Sequence, residues 1–249
     1  MQYPASDPWV TAVGGTSLAL GAHGRYLWET GWGTLSAPLS ADGKNWSGLP
    51  GTFRGGAGGG RSTLFAQPSY QSGIVPSSLS QPAGTAAPNR VIPDIAADAD
   101  PGTGMLTGLT TPLTPGGTPQ YAEEISGGTS LAAPLLAGIQ ADAQQAAHGI
   151  PIGFANPALY ARYGTPDYRD VTDQPGAATE AVQASRDPAT GTISYQAIAF
   201  GHDSSLHATS GYDDVTGVGT PTARYLDSYG TQQPASSAHL RQGPRGPAG

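Results

Sequence analysis

The sequence predicts an α/β fold, because it combines apolar, strand-like runs with one strongly periodic helix. Residues 9–20 and 89–101 are rich in apolar and β-branched side chains, which is typical of buried strands. Residues 130–147 place their leucines on one side of a helix. With 249 residues, the chain is long enough to form one large domain with a substantial core.

The spacing of apolar residues and the two ends of the segment together predict this helix. Leu131, Leu135 and Ile139 recur every four residues, which places them on one face. Pro134 lies in the first turn, where a missing N–H interrupts no hydrogen bond, and Gly149 follows as a terminator. Because alanine and glycine dominate the segment, we expect a helix that is packed closely on all sides.

Turn residues and local patterns predict the remaining elements. Residues 24–34 are predicted to form a hairpin arm, and residues 36–60, which are mainly Gly, Ser, Pro and Ala, a loop. Short helices are predicted within 63–74, 154–164 and 211–226.

Two polar segments are predicted to lie outside the core. Residues 174–196 are punctuated by Gly and Pro and predict an exposed excursion. Residues 228–249 have no periodicity and predict a disordered tail, so the domain is assigned to residues 1–227.

The composition excludes several classes of function. The chain has no cysteine, which excludes disulfides, thiolate catalysis and cysteine-based metal sites. Only 12% of residues are charged, the net charge is −7, and no basic cluster suggests a nucleic-acid partner. A surface with so few charges has few ion pairs to lose in acid, so it suits an acidic working environment.

The N-terminal residues do not predict a leader or a membrane segment. "MQYPASDPWV" lacks the basic start and apolar core of a signal peptide. No run of about 18 apolar residues occurs, so nothing is predicted to span a membrane. We expect the chain to begin in the middle of a longer structure.

Ser130 is the candidate nucleophile, because a glycine-rich turn delivers it to the start of the predicted helix. The free N–H groups and the dipole of a helix N-terminus favour developing negative charge, and glycines allow a substrate to approach. The common alternative is that such a serine only caps the helix. The longer string "GTSLAAP" favours the nucleophile, because it resembles the G-T-S-x-x-x-P signature of subtilisins and sedolisins.

A serine needs a base to remove its proton, and few residues of this chain are candidates. His23, the only histidine before Ser130, has no aspartate nearby and is interpreted as a surface-loop residue. Glu123 and Glu124 are expected to edge the cleft or face solvent. Three aspartates are interpreted as structural members of a strand and turn: Asp94, Asp98 and Asp100.

Five segments in order, from residue 3 to about residue 226, resemble the sedolisins, the serine-carboxyl peptidases. The segments are "YPASDPWVTAVGGTSL", "AGGGRSTLFAQPSYQ", "RVIPDIAADADP", "GTSLAAP" and "RDVT" followed by "GYDDVTGVGTP". The resemblance implies a subtilisin-like three-layer α/β fold with a mainly parallel sheet. It also implies a secreted, monomeric, acid-active endopeptidase that forms an acyl-enzyme at Ser130 and acts on peptides or proteins.

The resemblance also implies that part of the active site is absent from the chain. Sedolisins use a glutamate base, an aspartate that holds it and an oxyanion aspartate, all upstream of the segment that starts here at Tyr3. We therefore expect an N-terminally truncated peptidase domain that is inactive alone. The alternative is an inactive fragment that retains calcium and weak peptide binding.

Two further sets of residues are assigned by the resemblance. Gly58, Gly59 and Gly60 match a strand that pairs with the bound peptide, whereas an isolated run of this kind would suggest a flexible linker. A Ca²⁺ ion is expected to take hard oxygen ligands. Its ligands would be the carboxylates or backbone carbonyls of Asp170, Val171, Thr209, Gly211 and Asp213.

Overall fold

The computed structural model describes residues 2–112, 115–174, 179–187 and 190–230. Among these residues, no helix has the length and apolar character needed to cross a bilayer. The helices are α1 (Ser77–Ser80), α2 (Thr129–Ala146), α3 (Asn156–Tyr160) and α4 (Ala223–Gly230), with 3₁₀ turns at Ala22–Gly24 and Ser69–Gln71. The strands are β1 (Val13–Leu20), β2 (Tyr26–Gly31), β3 (Gly33–Pro38), β4 (Thr52–Gly56), β5 (Gly60–Ala66), β6 (Asn89–Ile92), β7 (Ile95–Asp98), β8 (Met105–Pro112), β9 (Pro119–Ser126), β10 (Tyr168–Arg169), β11 (Glu180–Arg186), β12 (Ile193–Phe200) and β13 (Thr220–Pro221).

The predicted mixture of helices and strands is confirmed, but the prediction of a mainly parallel sheet is wrong for the described residues. The strands form sheets β2-β1-β7, β11-β12-β3-β4, β5-β6, β8-β9 and β10-β13. The pair β1–β7 is parallel, from Val13 opposite Ile95 to Thr16 opposite Asp98, and the other described pairs are antiparallel. Short turns join several neighbouring strands, and a short turn reverses the chain direction.

Helix α2 has the predicted position but not the predicted surroundings. Ala132, Leu136 and Ala143 are buried, and the helix packs on β1, β7 and α4. Its opposite face is exposed at Ala133 and Ala137, so the expectation of packing on all sides is wrong among the described residues. Alanine favours a helix by intrinsic propensity alone, and its abundance therefore does not predict burial.

Two segments predicted as irregular contain strands. The excursion at 174–196 contains β11 and the first half of β12. The two strands form a hairpin that adds to β3, with Gln196 opposite Pro38 and Phe200 opposite Thr34. The predicted loop at 36–60 contains β4, which pairs with β3. Backbone hydrogen bonds hold these strands, and since many of their side chains remain exposed, hydrophobic patterning does not reveal them.

The shorter predicted helices are confirmed in part. α3 lies within 154–164, and α4 begins within 211–226. The segment 63–74 instead holds the end of β5 and a 3₁₀ turn. α4 continues to Gly230 because Tyr229 is buried, and its end passes the predicted tail boundary at Ser228. The rest of the predicted tail, residues 231–249, lies outside the described residues.

A buried ion pair joins three parts of the fold. Arg90 donates to both oxygens of Asp94 at 2.8–2.9 Å, and both side chains are fully buried. Asp94 also accepts a hydrogen bond from the Tyr160 hydroxyl at 2.9 Å and one from the Asn156 amide. Arg90 reaches back to the carbonyl of Val10. The pair therefore connects the N-terminal segment, the β6–β7 turn and α3.

Candidate active-site cleft

Ser130 is the second residue of α2, and a rigid glycine turn positions it. Gly128 has φ +82°, a conformation that a side chain disfavours, and its N–H donates to the carbonyl of Ala99. A Cβ on Gly127 would lie 2.7 Å from the Cα of Pro101. Gly128 is therefore required by its backbone conformation and Gly127 by its contact with Pro101, and the turn fixes where the serine stands.

The Ser130 side chain is exposed and lines a cavity of about 480 Å³. The lining of this cavity also includes Trp32, Gly56, Gly58 and Gly59. Among the described residues that line this cavity, none carries an acidic or basic side chain. We call this cavity the Ser130 cleft, and its uncharged walls suit the backbone of a peptide.

The three predicted substrate-binding glycines have different surroundings. A Cβ on Gly58 would meet no atom within 4 Å, so this glycine opens onto the cleft. A Cβ on Gly59 would lie 1.6 Å from the carbonyl oxygen of Asp214, so Gly59 is required for packing. Gly60 has φ +117° and is not among the residues that line the cleft. The structure therefore leaves Gly58 as the glycine free to face a ligand.

Substitution of each glycine by alanine is expected to separate packing from access. Gly59→Ala should lower the free energy of unfolding by about 1–3 kcal/mol, because the new methyl group overlaps a backbone oxygen. Gly58→Ala should change it by less than about 0.5 kcal/mol. Urea unfolding of both variants measures the difference. Equal destabilisation by the two substitutions would contradict this account.

The candidate bases within the chain do not reach Ser130. Among the described residues, no side chain hydrogen-bonds to the Ser130 hydroxyl. His23 is exposed in the turn between β1 and β2, as expected. Glu123 and Glu124 are exposed on β9, where Glu123 accepts a hydrogen bond from Tyr121. These carboxylates therefore face solvent rather than the cleft.

The three aspartates interpreted as structural are occupied elsewhere. Asp94 forms the ion pair described above, and Asp100 accepts hydrogen bonds from the hydroxyls of Ser17 and Thr34. Asp98 accepts a hydrogen bond from Thr103 at 2.9 Å. None of them lines the Ser130 cleft.

Asp98 is expected to make stability depend on pH. Burial raises the pKa of Asp98 from 3.8 to about 6, and the Asp100 charge makes a smaller contribution in the same direction. The hydrogen bond from Thr103 acts in the opposite direction. Glu29 is a further carboxyl group nearby. The folded state therefore holds a proton that the unfolded state releases. This contribution is complete below about pH 4 and is lost as the pH rises towards and past 6.

The expected loss is about 1–2 kcal/mol, because partial exposure screens the charge. Denaturant unfolding of the wild-type chain and Asp98→Asn at pH 4 and pH 7 measures it, and the variant should show the smaller difference. Identical pH dependence in the two proteins would refute the role of Asp98.

The five predicted calcium ligands lie in two segments that the fold brings together. Both Asp170 oxygens accept from the N–H of Gly211 at 3.0–3.1 Å. Asp213 accepts from the N–H of Thr209 at 3.0 Å. Among the described residues, the carbonyl oxygens of Val171, Thr209 and Gly211 accept no hydrogen bond. The two carboxylates thus border one short segment that has free carbonyl groups.

The donor chemistry fits a calcium ion, with one adjustment. Carboxylate and carbonyl oxygens are the ligands that Ca²⁺ prefers. No group of three or more His, Asp or Glu side chains gathers within the described residues, so a site here would depend on two carboxylates and on backbone oxygens. Asp213 also accepts hydrogen bonds from the N–H groups of Val215 and Thr216, and it would give up one of its hydrogen bonds to coordinate the metal.

Trp32 is a cleft residue that the sequence analysis missed. It follows β2 in a segment predicted only as a hairpin arm, and its N–H donates to the carbonyl of Gly15. Its ring passes close to Gly15 and Gly55, where a Cβ would lie 3.1 and 3.3 Å away. No local signal identifies it, because the cleft is assembled from segments that are distant in the sequence.

Ser130 is thus an accessible serine at a helix N-terminus, and it lines a glycine-bordered cleft in an α/β scaffold. The chain is 32% identical to kumamolisin of Bacillus sp. (strain MN-32) over 225 residues, 89% of this chain and 31% of that protein. It is 34% identical to sedolisin of Pseudomonas sp. (strain 101) over 161 residues, which are 64% of this chain and 22% of sedolisin. It is 31% identical to xanthomonalisin of Xanthomonas sp. (strain T-22) over 231 residues, which are 91% of this chain and 22% of xanthomonalisin.

A solved structure is also similar to this chain. Pseudomonas sedolisin, a serine-carboxyl proteinase complexed with two molecules of pseudo-iodotyrostatin, superposes with a TM-score of 0.56 at 29% identity, over 91% of this chain and 47% of that one. No protein-family model matches the sequence. The chain belongs to the sedolisin family, as its motifs predicted. It spans less than a third of the length of these curated relatives.

Proposed function

We propose that this chain supplies the nucleophile and one wall of the cleft of a serine-type endopeptidase. The observation that carries the proposal is the exposed Ser130 side chain at the N-terminus of α2, which lines the same uncharged cavity as Gly58. Two relatives are named as a tripeptidyl-peptidase and a probable tripeptidyl-peptidase, and Pseudomonas sedolisin is described as a serine-carboxyl proteinase. The Ser130 oxygen would attack the scissile carbonyl carbon as its proton passes to a base, and that proton would reach the peptide nitrogen as the C–N bond breaks and the amine half leaves. Water would then hydrolyse the acyl-enzyme and restore the serine hydroxyl.

Helix α2 and the glycine segment 58–60 would assist this step. The free N–H groups and the dipole at the start of α2 favour the negative charge that develops on the carbonyl oxygen. A peptide can lie in extended form beside Gly58, where no side chain obstructs its backbone. Gly59 and Gly60 would shape the segment that leads from β4 into β5, and their own geometry limits their contact with the peptide.

The base would come from polypeptide other than these 249 residues. The support is that no described carboxylate hydrogen-bonds to Ser130 or lines its cleft. We infer that a glutamate held by an aspartate removes the proton, and that a further aspartate completes the oxyanion site. The same observation favours the second candidate function, in which the chain alone binds peptide weakly without cleaving it.

Reconstitution tests the proposal. The in-frame nucleotides upstream of Met1 are read for an E-x-x-x-D segment followed by a G-D-S-G-like turn, and the encoded polypeptide is joined to this chain. We expect peptide hydrolysis at acidic pH from the extended protein and little or none from the chain alone. Robust turnover by the chain alone would show that an internal base exists. An inactive extended protein would favour the peptide-binding alternative.

We further propose that the peptidase works outside the cell, in acid and as a monomer. The low share of charged residues, 12%, supports an acidic environment, because few surface ion pairs are lost on protonation. Sedimentation of the extended protein and its pH–rate profile test the oligomeric state and the acidic optimum.

We also propose that a Ca²⁺ ion ties the 170–171 segment to the 209–213 segment. Asp170 and Asp213 would provide carboxylate oxygens, and the three free carbonyl groups described above would complete the protein ligands. The ion would contribute stability rather than chemistry at Ser130. By restraining the segment that carries Asp214, it would also support the position of Gly59.

Calcium removal is expected to lower the melting temperature by about 5 °C. The reason is that an ion that binds the folded state and not the unfolded state stabilises the fold by mass action. Thermal melts with calcium and with a chelator measure the change. Asp170→Asn should abolish the difference, whereas Asp142→Asn, a matched change at an exposed residue of α2, should preserve it. A melt that calcium does not alter would remove the site.

A further inference from the structure

A second cavity lies beside the Ser130 cleft and is not explained by the proposed catalytic step. Its volume is about 270 Å³, and it shares Trp32 with the Ser130 cleft. Arg54 and Gly55 of β4 line this second cavity, whereas Gly56 at the end of β4 and Gly58 after it line the Ser130 cleft. We call the second cavity the Arg54 pocket.

The Arg54 pocket is lined by polar groups that lack partners in the fold. Arg54, Gln183, Gln196 and Ser36 line it, and among the described residues none of their side chains makes a hydrogen bond or ion pair. Ser36 is only 4% exposed, and it lines the pocket with a hydroxyl that makes no hydrogen bond among the described residues. A ligand that enters the pocket can therefore hydrogen-bond to this hydroxyl without breaking a bond within the fold.

The inserted hairpin β11–β12 completes this pocket. Gln183 and Gln196 are directly paired across the hairpin, so their side chains share one face of the sheet. Ser36 is opposite Ile198, which lies on the same face and also lines the pocket. The hairpin thus adds two amide groups next to the exposed guanidinium of Arg54.

The charge of the pocket favours an anionic group. Asp100 also lines it, but its oxygens accept hydrogen bonds from Ser17, Thr34 and the N–H of Gly102. The Asp100 charge is therefore largely satisfied within the fold. Arg54 forms no ion pair within the described part of the chain, and guanidinium binds carboxylate with two parallel hydrogen bonds.

We propose that the Arg54 pocket is a specificity subsite for a glutamate or aspartate side chain of the peptide substrate, an inference that rests on the proposed function. Arg54 would pair with the carboxylate, and Ser36 with the two glutamines would hold its remaining oxygen lone pairs. Arg54 lies four residues from Gly58, so the acidic residue would stand about 13 Å along an extended peptide from the residue beside Gly58.

Direct binding tests the subsite without relying on hydrolysis. The full chain carrying Ser130→Ala is titrated, by calorimetry at low ionic strength, with blocked alanine-based octapeptides in which Glu, Gln or Lys is moved through each position. At one position, Glu should bind at least about fivefold more tightly than Gln, and Lys more weakly than both. Arg54→Gln should abolish the difference between Glu and Gln, and Arg54→Glu should reverse the order of Glu and Lys.

Arg186→Gln is the matched control, because Arg186 lies on the same hairpin outside the pocket and its loss changes the net charge equally. It should leave the preference intact. A preference for Lys, no preference, an equal effect of both arginine variants, or no binding of any peptide would overturn the proposal. A Glu preference without Ser130-dependent hydrolysis in the extended protein would retain the subsite and refute the peptidase function. Ser130-dependent hydrolysis without a Glu preference would retain the peptidase function and refute the subsite.

Discussion

Ser130→Ala is expected to reduce peptide hydrolysis by the extended protein at least about a thousandfold, because removal of a catalytic nucleophile costs several powers of ten in rate. The substitution should not disturb the fold. The Ser130 side chain is exposed, and its hydroxyl makes no hydrogen bond among the described residues. The measurement is kcat/KM for an oligopeptide at acidic pH, together with a thermal melt of both proteins.

Ser126→Ala is the matched control for this experiment. Ser126 belongs to the same "SGGTS" string, but its hydroxyl lies 2.8 Å from that of Thr107 at the end of β9 and outside the cleft. This variant should retain most of the activity. If Ser130→Ala remained active, or if the two variants lost activity equally, Ser130 would not be the nucleophile.

Arg90→Met is expected to lower the free energy of unfolding by about 3–5 kcal/mol, because it leaves the Asp94 carboxylate buried and unpaired. Both side chains of this ion pair are fully buried, and Asp94 gathers hydrogen bonds from Tyr160, Asn156 and the N–H of Ala12. The loss should extend beyond the pair itself, since the network joins the N-terminal segment to α3. Urea unfolding monitored by tryptophan fluorescence measures it.

Two further variants separate the effect of the unpaired charge from lost packing. Asp94→Asn added to Arg90→Met should recover part of the stability, because the unpaired carboxylate is gone. Arg25→Met, at an exposed position, should change stability by less than about 0.5 kcal/mol. An Arg90→Met variant as stable as Arg25→Met would show that the buried pair contributes nothing.

Local features of the sequence predicted helix α2 and placed the candidate nucleophile Ser130 at its start. Helix α2 depends on residues within one segment, and the turn before it needs Gly128 because of its own backbone conformation, whereas Gly127 is needed because Pro101 packs against it. The family follows from five ordered motifs in the same way. The environment of that helix could not be predicted, because alanine is compatible with both exposed and buried faces.

The antiparallel pairing of β11 with β12 could also not be predicted from the sequence. β11 exposes most of its side chains and carries no apolar alternation, so only its backbone partner β12 identifies it as a strand. The same hairpin places Gln183 and Gln196 beside Arg54, which is about 130 residues away along the chain. A contact of this kind depends on sheet register, and register is set by partners that a local pattern does not contain.

The sequence by itself determined the family, the candidate nucleophile and the predicted calcium ligands, because short motifs carry those chemical groups at fixed spacing. The tertiary structure decided which groups meet. It brought Gly58 and Trp32 to Ser130, committed Asp94 and Asp100 to the fold, and left no described carboxylate at the serine. The physical reason is that side-chain chemistry is local, whereas proximity, burial and pairing arise from packing between segments far apart in the chain.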